Sequence, residues 1–299
     1  MFATIVGALP PPEVREADDD EVLRAQLAAQ IAAGIDLLSY TEPALPGDAV
    51  VDGWRRATRV AATMGTVPVK AAIVGPVTLD GGRPSTGRVD ATRAAIDALA
   101  AAGCPFVEVH EPFATSLGTD ADAGHRFRAA HERLVDGLEI HVCLAITGGN
   151  ADAAGAATVL VPGYRSFLLD LILGPDNWRL AVAAPATVGI VAGAVDHRPG
   201  VREVPETGVW AAHYAASTGG RGLERVGLAT AGSLAALHWD AAVARLAVLG
   251  EAARIAALPR GDGMARAIDP RALDIRSAAM GRYAPLRRTP KARRRRHPG

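Results

Sequence analysis

The chain has 299 residues, 49% of them hydrophobic and 4% aromatic, with 32 Lys and Arg balancing 32 Asp and Glu. That neutral balance argues against a general role on nucleic acid or at a membrane surface, and two cysteines, Cys104 and Cys143, exclude a disulfide framework. No charged-then-apolar leader opens the chain and no apolar run reaches the roughly 18 residues of a membrane span, so a cytoplasmic protein with a large α/β core is expected.

The predicted elements alternate from the start. Phe2–Val6 is an apolar run closed by Gly7, and Glu21–Ala33 has a helical pattern stopped by Gly34, placed as a helix C-cap would be. Ile35–Tyr40 reads as a second strand, Ala49–Met64 as a helix and Val67–Val74 as a third strand ending in Gly75-Pro76. A helix over Asp90–Ala102, a strand over Phe106–His110 and a helix over Ala121–Val135 follow. The next stretch, Glu139-Ile-His-Val-Cys-Leu-Ala-Ile146, lies between Gly137 and Gly148-Gly149 and is rich in β-formers. Ala151–Ala157 is a weak helix, and Thr158–Pro162 is either a loop or a stray strand. Strands over Phe167–Ile172, Thr187–Val195 and Val226–Thr230 alternate with helices over Asn177–Ala183, Glu203–Ser217 and Trp239–Leu258.

Eight strand-then-helix units with near-continuous apolar strands are the pattern of a parallel sheet buried on both faces. In this length they predict a single (β/α)8 TIM-type barrel over residues 1–258. A doubly wound open sheet is the alternative, but no Gly-rich dinucleotide turn follows the first strand. Residues 259–299 lose the pattern and end in a basic run, Arg287 to His297. A solvated, disordered extension is expected there, with contact to nucleic acid or an acidic partner as the lesser alternative.

Barrel chemistry sits where strands end. Polar residues at or near such positions are Glu42, His110, Glu111, His141, Cys143, Asp170, Asp196, His197, Thr230 and Ser233. On a strand, His141 and Cys143 share one face. An imidazole and a thiolate so placed form half of a zinc site, or else an ordinary buried Cys beside a hydrogen-bonded His. Asp170, inside Phe-Leu-Leu-Asp-Leu-Ile-Leu, needs a partner if buried. A metal or a basic side chain would serve.

Several stretches carry a family resemblance. Val6-Gly-Ala-Leu-Pro10, Gly34-Ile-Asp-Leu-Leu-Ser-Tyr-Thr-Glu42, Val69-Lys-Ala-Ala-Ile-Val-Gly-Pro-Val-Thr78, Gly103-Cys-Pro-Phe-Val-Glu-Val-His-Glu-Pro112, His141-Val-Cys143, Asp170 and Ala229-Thr-Ala-Gly232 occur in this order. Together they resemble the barrel of cobalamin-independent methionine synthase, in the wider superfamily that includes uroporphyrinogen decarboxylase. The resemblance implies a zinc ion on His141, Cys143 and Asp170 that activates a small thiol for methyl or alkyl transfer. It implies substrate binding by Glu42, His110 and Glu111, with Glu42 on an amino group, and a proton-donating role for His197 beside Asp196. The methyl donor is open between a folate and a corrinoid carrier protein. Ala231 stands where the family has a second cysteine, His110 where it has an aspartate, and His197 one residue early. With Ala231 unable to bind metal, His110 is the expected protein candidate for a fourth ligand. Two further readings are a barrel without zinc that binds a small molecule or partner, and a metal-free lyase or decarboxylase.

Overall fold

Seven of the eight apolar runs become strands. The computed structural model describes residues 1–12, 18–259 and 261–267. Its strands are β1 (Phe2–Val6), β2 (Ala71–Val74), β3 (Phe106–His110), β4 (His141–Ile146), β5 (Ser166–Asp170), β6 (Gly189–Val195) and β7 (Val226–Ser233). They form one parallel sheet in the order β1-β7-β6-β5-β4-β3-β2. Around it lie α1 (Asp19–Ala32), α2 (Asp48–Ala62), α3 (Pro76–Leu79), α4 (Thr86–Ala101), α5 (Ala121–Val135), α6 (Ala156–Val159), α7 (Trp178–Ala183), α8 (Pro205–Ser217), α9 (Trp239–Ala256) and α10 (Asp262–Ala267).

The sheet is curled but open, so the expected closed eight-stranded barrel is corrected to a partial one. Between β1 and β2, where Ile35–Tyr40 should have made a strand, only isolated bridges form: Thr4 with Leu37, and Leu38 with Val69. Side chains have taken over partners that a ladder would use. The Asp36 carboxylate accepts from the Ala3 N–H at 2.8 Å, the Gln30 amide oxygen from the Ser39 N–H at 2.9 Å, and Ser39 Oγ donates to the Gly7 carbonyl at 2.6 Å. Regular pairing is therefore confined to these isolated bridges.

Elsewhere local chemistry sets the boundaries. α1 begins ahead of the expected Glu21 because Asp18 caps it, accepting from the Asp20 and Glu21 N–H groups, with Glu21 reaching back in a capping box. Thr158–Pro162, expected as a loop or a stray strand, starts inside the one-turn α6. Residues 262–267, in the segment expected to be irregular, form α10; the basic run lies outside the described residues. Among the described residues no helix is long and apolar enough to cross a membrane.

Side chains alternate across the strands. One set, including Val107, Val109, Leu144, Phe167 and Leu169, packs outward against the helices. Burying one such Leu or Phe stabilises by about 1.5–3 kcal/mol. The other set, Val6, Leu37, Phe106, Cys143, Ala145, Leu168, Val191 and Ala229, fills the inside of the curl. α9 closes the outer layer against the end of α1. Gly250 permits this, since a Cβ there would stand 1.7 Å from the Ala33 carbonyl oxygen. A recess of about 590 Å³ nearby is lined by Met1 and Asp36 on one side and by Arg254 and Ala257 on the other.

Candidate functional site

All strands run parallel, so first residues share one end of the curl and last residues the other. This separates the expected zinc ligands. His141 opens β4, Cys143 pairs in register with Ser166 at the start of β5, and Asp170 ends β5. At about 3.3 Å per residue, Asp170 stands about 13 Å above Cys143 and about 20 Å above His141. Ligands about 2.0–2.3 Å from one zinc would lie within about 4 Å of each other. Among the described residues no group of three or more His, Cys, Asp and Glu could hold a metal ion. The expectation of a zinc site, with its activated thiol, is therefore corrected.

Each of the three has another occupation. The Asp170 carboxylate is fully buried and accepts from the Gly148, Ile172 and Leu173 N–H groups at 3.0, 2.9 and 2.9 Å. Backbone amides, rather than a metal or a basic side chain, are the partners it required. Burial, with the nearby Glu108 charge, pushes the Cys143 thiol up to about 12, so it stands as a neutral thiol at pH 7. His141 stacks on Phe106 with centroids 4.3 Å apart and shares a 2.9 Å hydrogen bond with Ser166 Oγ. Burial and then the Arg165 charge lower its pKa to about 4, so it is neutral at pH 7.

A charged chain of side chains crosses the interior instead. Lys70, at the foot of β2, donates to Glu108 Oε2 at 2.6 Å and to the Ile5 carbonyl at 2.8 Å. Glu108 Oε1 meets His110 Nε2 at 2.7 Å. Lys70 and Glu108 are buried and His110 is 4% exposed at the upper end of β3. Burial would raise the Glu108 pKa; the Lys70 ammonium and the His110 hydrogen bond outweigh it and bring the carboxyl down to about 2. An ionised Glu108 requires the proton on Nε2 of His110 and leaves Nδ1 as the basic nitrogen. His110 is thus committed to Glu108 and does not complete a metal site. Lys70 and Glu108 were absent from the expected site residues. Yet each is a charge inside an apolar run and, like Asp170, needs a partner when buried.

Glu111, expected to touch substrate, is fully buried and anchors structure. It accepts from the Val77 and Thr78 N–H groups at 2.9 and 2.8 Å and from Thr78 Oγ1 at 2.6 Å, and lies 3.2 Å from His131 Nε2. His131 Nδ1 in turn meets the Tyr164 hydroxyl at 2.6 Å. The Gly-Pro-Val-Thr and Glu-Pro stretches are therefore two halves of one contact. A Cβ on Gly75 would fall 2.1 Å from Glu111 Oε1.

The remaining expected residues gather at the ends of the strands. Exposed Glu42 accepts from the Ala8 N–H at 3.1 Å and from Ser233 Oγ. His197 is half-buried with its ring against Gly232, next to Ser233, and its Nδ1 is buried without a hydrogen bond. Asp196 holds Arg198 in a two-pronged ion pair, closest approach 2.5 Å. Burial raises the Asp196 carboxyl, and the Arg198 guanidinium and N–H overcome this and hold it below the usual range. The upper end thus carries an exposed carboxylate, two imidazoles (His110 and His197) and a half-exposed guanidinium. Such a set can hold an amino group and move protons.

No family model matches the sequence, and no curated protein matches it. Solved structures do. A B12-independent methionine synthase from Shewanella sp. W3-18-1, in complex with selenomethionine, superposes with a TM-score of 0.67 at 16% identity over 85% of this chain and 96% of that one. A methyltransferase from Methanosarcina mazei gives 0.52 at 14% over 84% and 94%. A dihydrodipicolinate synthase from Cyanidioschyzon merolae with lysine bound gives 0.50 at 13% over 95% and 85%. At these identities the likeness is one of fold. It defines a TIM-barrel-type α/β protein whose sheet is here incompletely closed.

Proposed function

We propose that the chain is a divergent, methionine-synthase-like barrel enzyme that works without a metal ion, binding a small amino-acid-like molecule at the strands' C-terminal end. Its reaction class is lyase or decarboxylase chemistry, in which a proton is moved at carbon. The carrying observation is the buried chain Lys70–Glu108–His110, which fixes the His110 tautomer and leaves a basic nitrogen. Glu42 is the anchor for the substrate ammonium, and His197, with its unpaired Nδ1, is the second proton-transfer group. Two fold relatives that hold amino acids, selenomethionine in one and lysine in the other, support the ligand class. Transfer to a thiol fits less well. The expected zinc ligands are too far apart to share an ion, and a free thiol ionises only near pH 8.5.

The test combines binding with isotope exchange. Full-length protein is titrated with L-methionine, L-homocysteine and L-lysine, and incorporation of deuterium at the α-carbon is followed by NMR in D2O. Exchange that survives a chelator, falls about a hundredfold or more in His110→Asn and binds about tenfold more weakly in Glu42→Gln is expected. Exchange or binding that appears only after zinc is added would overturn the proposal, as would no binding of any of the three.

A further inference from the structure

The far end of the curl is built differently from an ordinary barrel floor, which packed side chains fill. β1 and β3 contribute Phe2 and Phe106, edge to face at 6.1 Å, and β4 contributes His141, stacked on Phe106. β6 and β7 contribute glycines, Gly189 and Gly227. In their sector a cavity of about 260 Å³ opens, with Arg165, Ser166 and Arg225 also in its wall.

The polar groups of this wall are not equally occupied. Arg225 is answered by Glu224 at 3.0 Å. Arg165 is exposed, and its guanidinium makes no hydrogen bond or ion pair among the described residues. Ser166 Oγ is engaged with His141 Nε2 at 2.9 Å and also lies within hydrogen-bond reach of the Cys143 thiol, so an incoming acceptor takes its O–H in place of Cys143. The cavity thus has one uncompensated cation at its rim, a hydroxyl beside it, an aromatic side formed by Phe2 and His141, and the Arg225–Glu224 ion pair in its wall. Its volume is smaller than the roughly 300–1,000 Å³ of sites for drug-sized ligands, so one ring with one charged group is the size that fits.

We propose that this cavity is a second ligand site, for a small planar monoanion of the aromatic carboxylate class. The carboxylate lies on the Arg165 guanidinium and the Ser166 hydroxyl, and the ring lies against His141 and Phe2. His110 pairs with Ala145, four residues along β4 from His141, which separates this site from the upper end by about 13 Å. A molecule here therefore binds without competing for Glu42 or His110, and the inference is independent of the proposed reaction.

Benzoate is the probe. Full-length protein is titrated with it by calorimetry while the histidine ring signals are followed by NMR. One saturable site is expected, with the His141 signals moving and the His110 signals still. Arg165→Gln, a change on the surface, weakens binding about tenfold or more, since a charge-assisted hydrogen bond is lost. Ser166→Ala weakens it less, and benzyl alcohol, the same ring without the charge, does not saturate at the same concentrations. No saturation with benzoate, equal affinity in Arg165→Gln, or movement of the His110 signals instead of those of His141 would each overturn the proposal.

Discussion

Lys70→Met would leave the Glu108 carboxylate buried without its ammonium, and that is where the largest single-residue effect is expected. Breaking a buried pair from one side costs about 3–5 kcal/mol, whereas removing both charges is often close to neutral. Urea unfolding should show Lys70→Met destabilised by about that much, and Lys70→Met/Glu108→Gln recovering most of it; a double variant as unstable as the sum of the singles would contradict the pairing. Acid sensitivity follows from two groups with depressed values. His141, at about 4 in the fold, binds fewer protons than the unfolded chain from pH 6.5 down to 4. Its contribution is whole above pH 6.5 and lost across that window. Glu108, at about 2, loses its contribution between about pH 4.5 and 2. Stability against pH should therefore fall in two stages, and His141→Asn should flatten the upper one; an unchanged upper stage in that variant would show another group at work. The sequence disclosed that His141 and Cys143 share a face, but not that they sit at the floor. The clue was their distance from Gly148-Gly149, which close the strand well beyond Cys143.

At the scale of elements, α3 depends on a carboxylate from the next strand unit. Glu111 fills the first amides of that short helix, and Gly75 leaves the space for it. Gly75→Ala should cost about 2–4 kcal/mol, because the new methyl collides with a carboxylate that cannot move without stranding buried donors. In Glu111→Ala the collision is gone, so adding Gly75→Ala there should cost at least about 1 kcal/mol less. Strict additivity in denaturation would mean that the two do not meet. Strands and long helices were legible because their apolar patterning is local. The loss of the Ile35–Tyr40 strand was not, because it depends on Asp36, Ser39 and Gln30 finding particular partners across the fold. Nor could Asp170 be assigned from its own segment, since one of its three donors, Gly148, comes from the loop after β4.

For the molecule as a whole, the weak place in the ring is the Leu37–Leu38 seam. Ladders of several residue pairs join each neighbouring pair of strands from β1 through β7, β6, β5, β4 and β3 to β2, while the seam rests on isolated pairs. Local opening should be easier where fewer backbone bonds must break together. Native-state hydrogen exchange is expected to run at least about tenfold faster at Leu37 and Leu38 than at Leu144 and Leu168. Equal protection at all four would show the ring opening only as one unit.

The recess shared by Met1 and Ala257 has a topological consequence. Because the first residue and the end of α9 border one hollow, the order in which the elements are synthesised is separable from the order in which they stand. A short linker from residue 259 to Met1, with new ends cut beside the exposed Leu45, gives a circular permutant in which β1 follows α9 directly. In that molecule the pairing of Thr4 with Ala229 closes a much shorter stretch of chain, one that holds little more than α9. The seam then coincides with the free ends, so the permutant is a curl that starts and stops where the native ring is already thinnest.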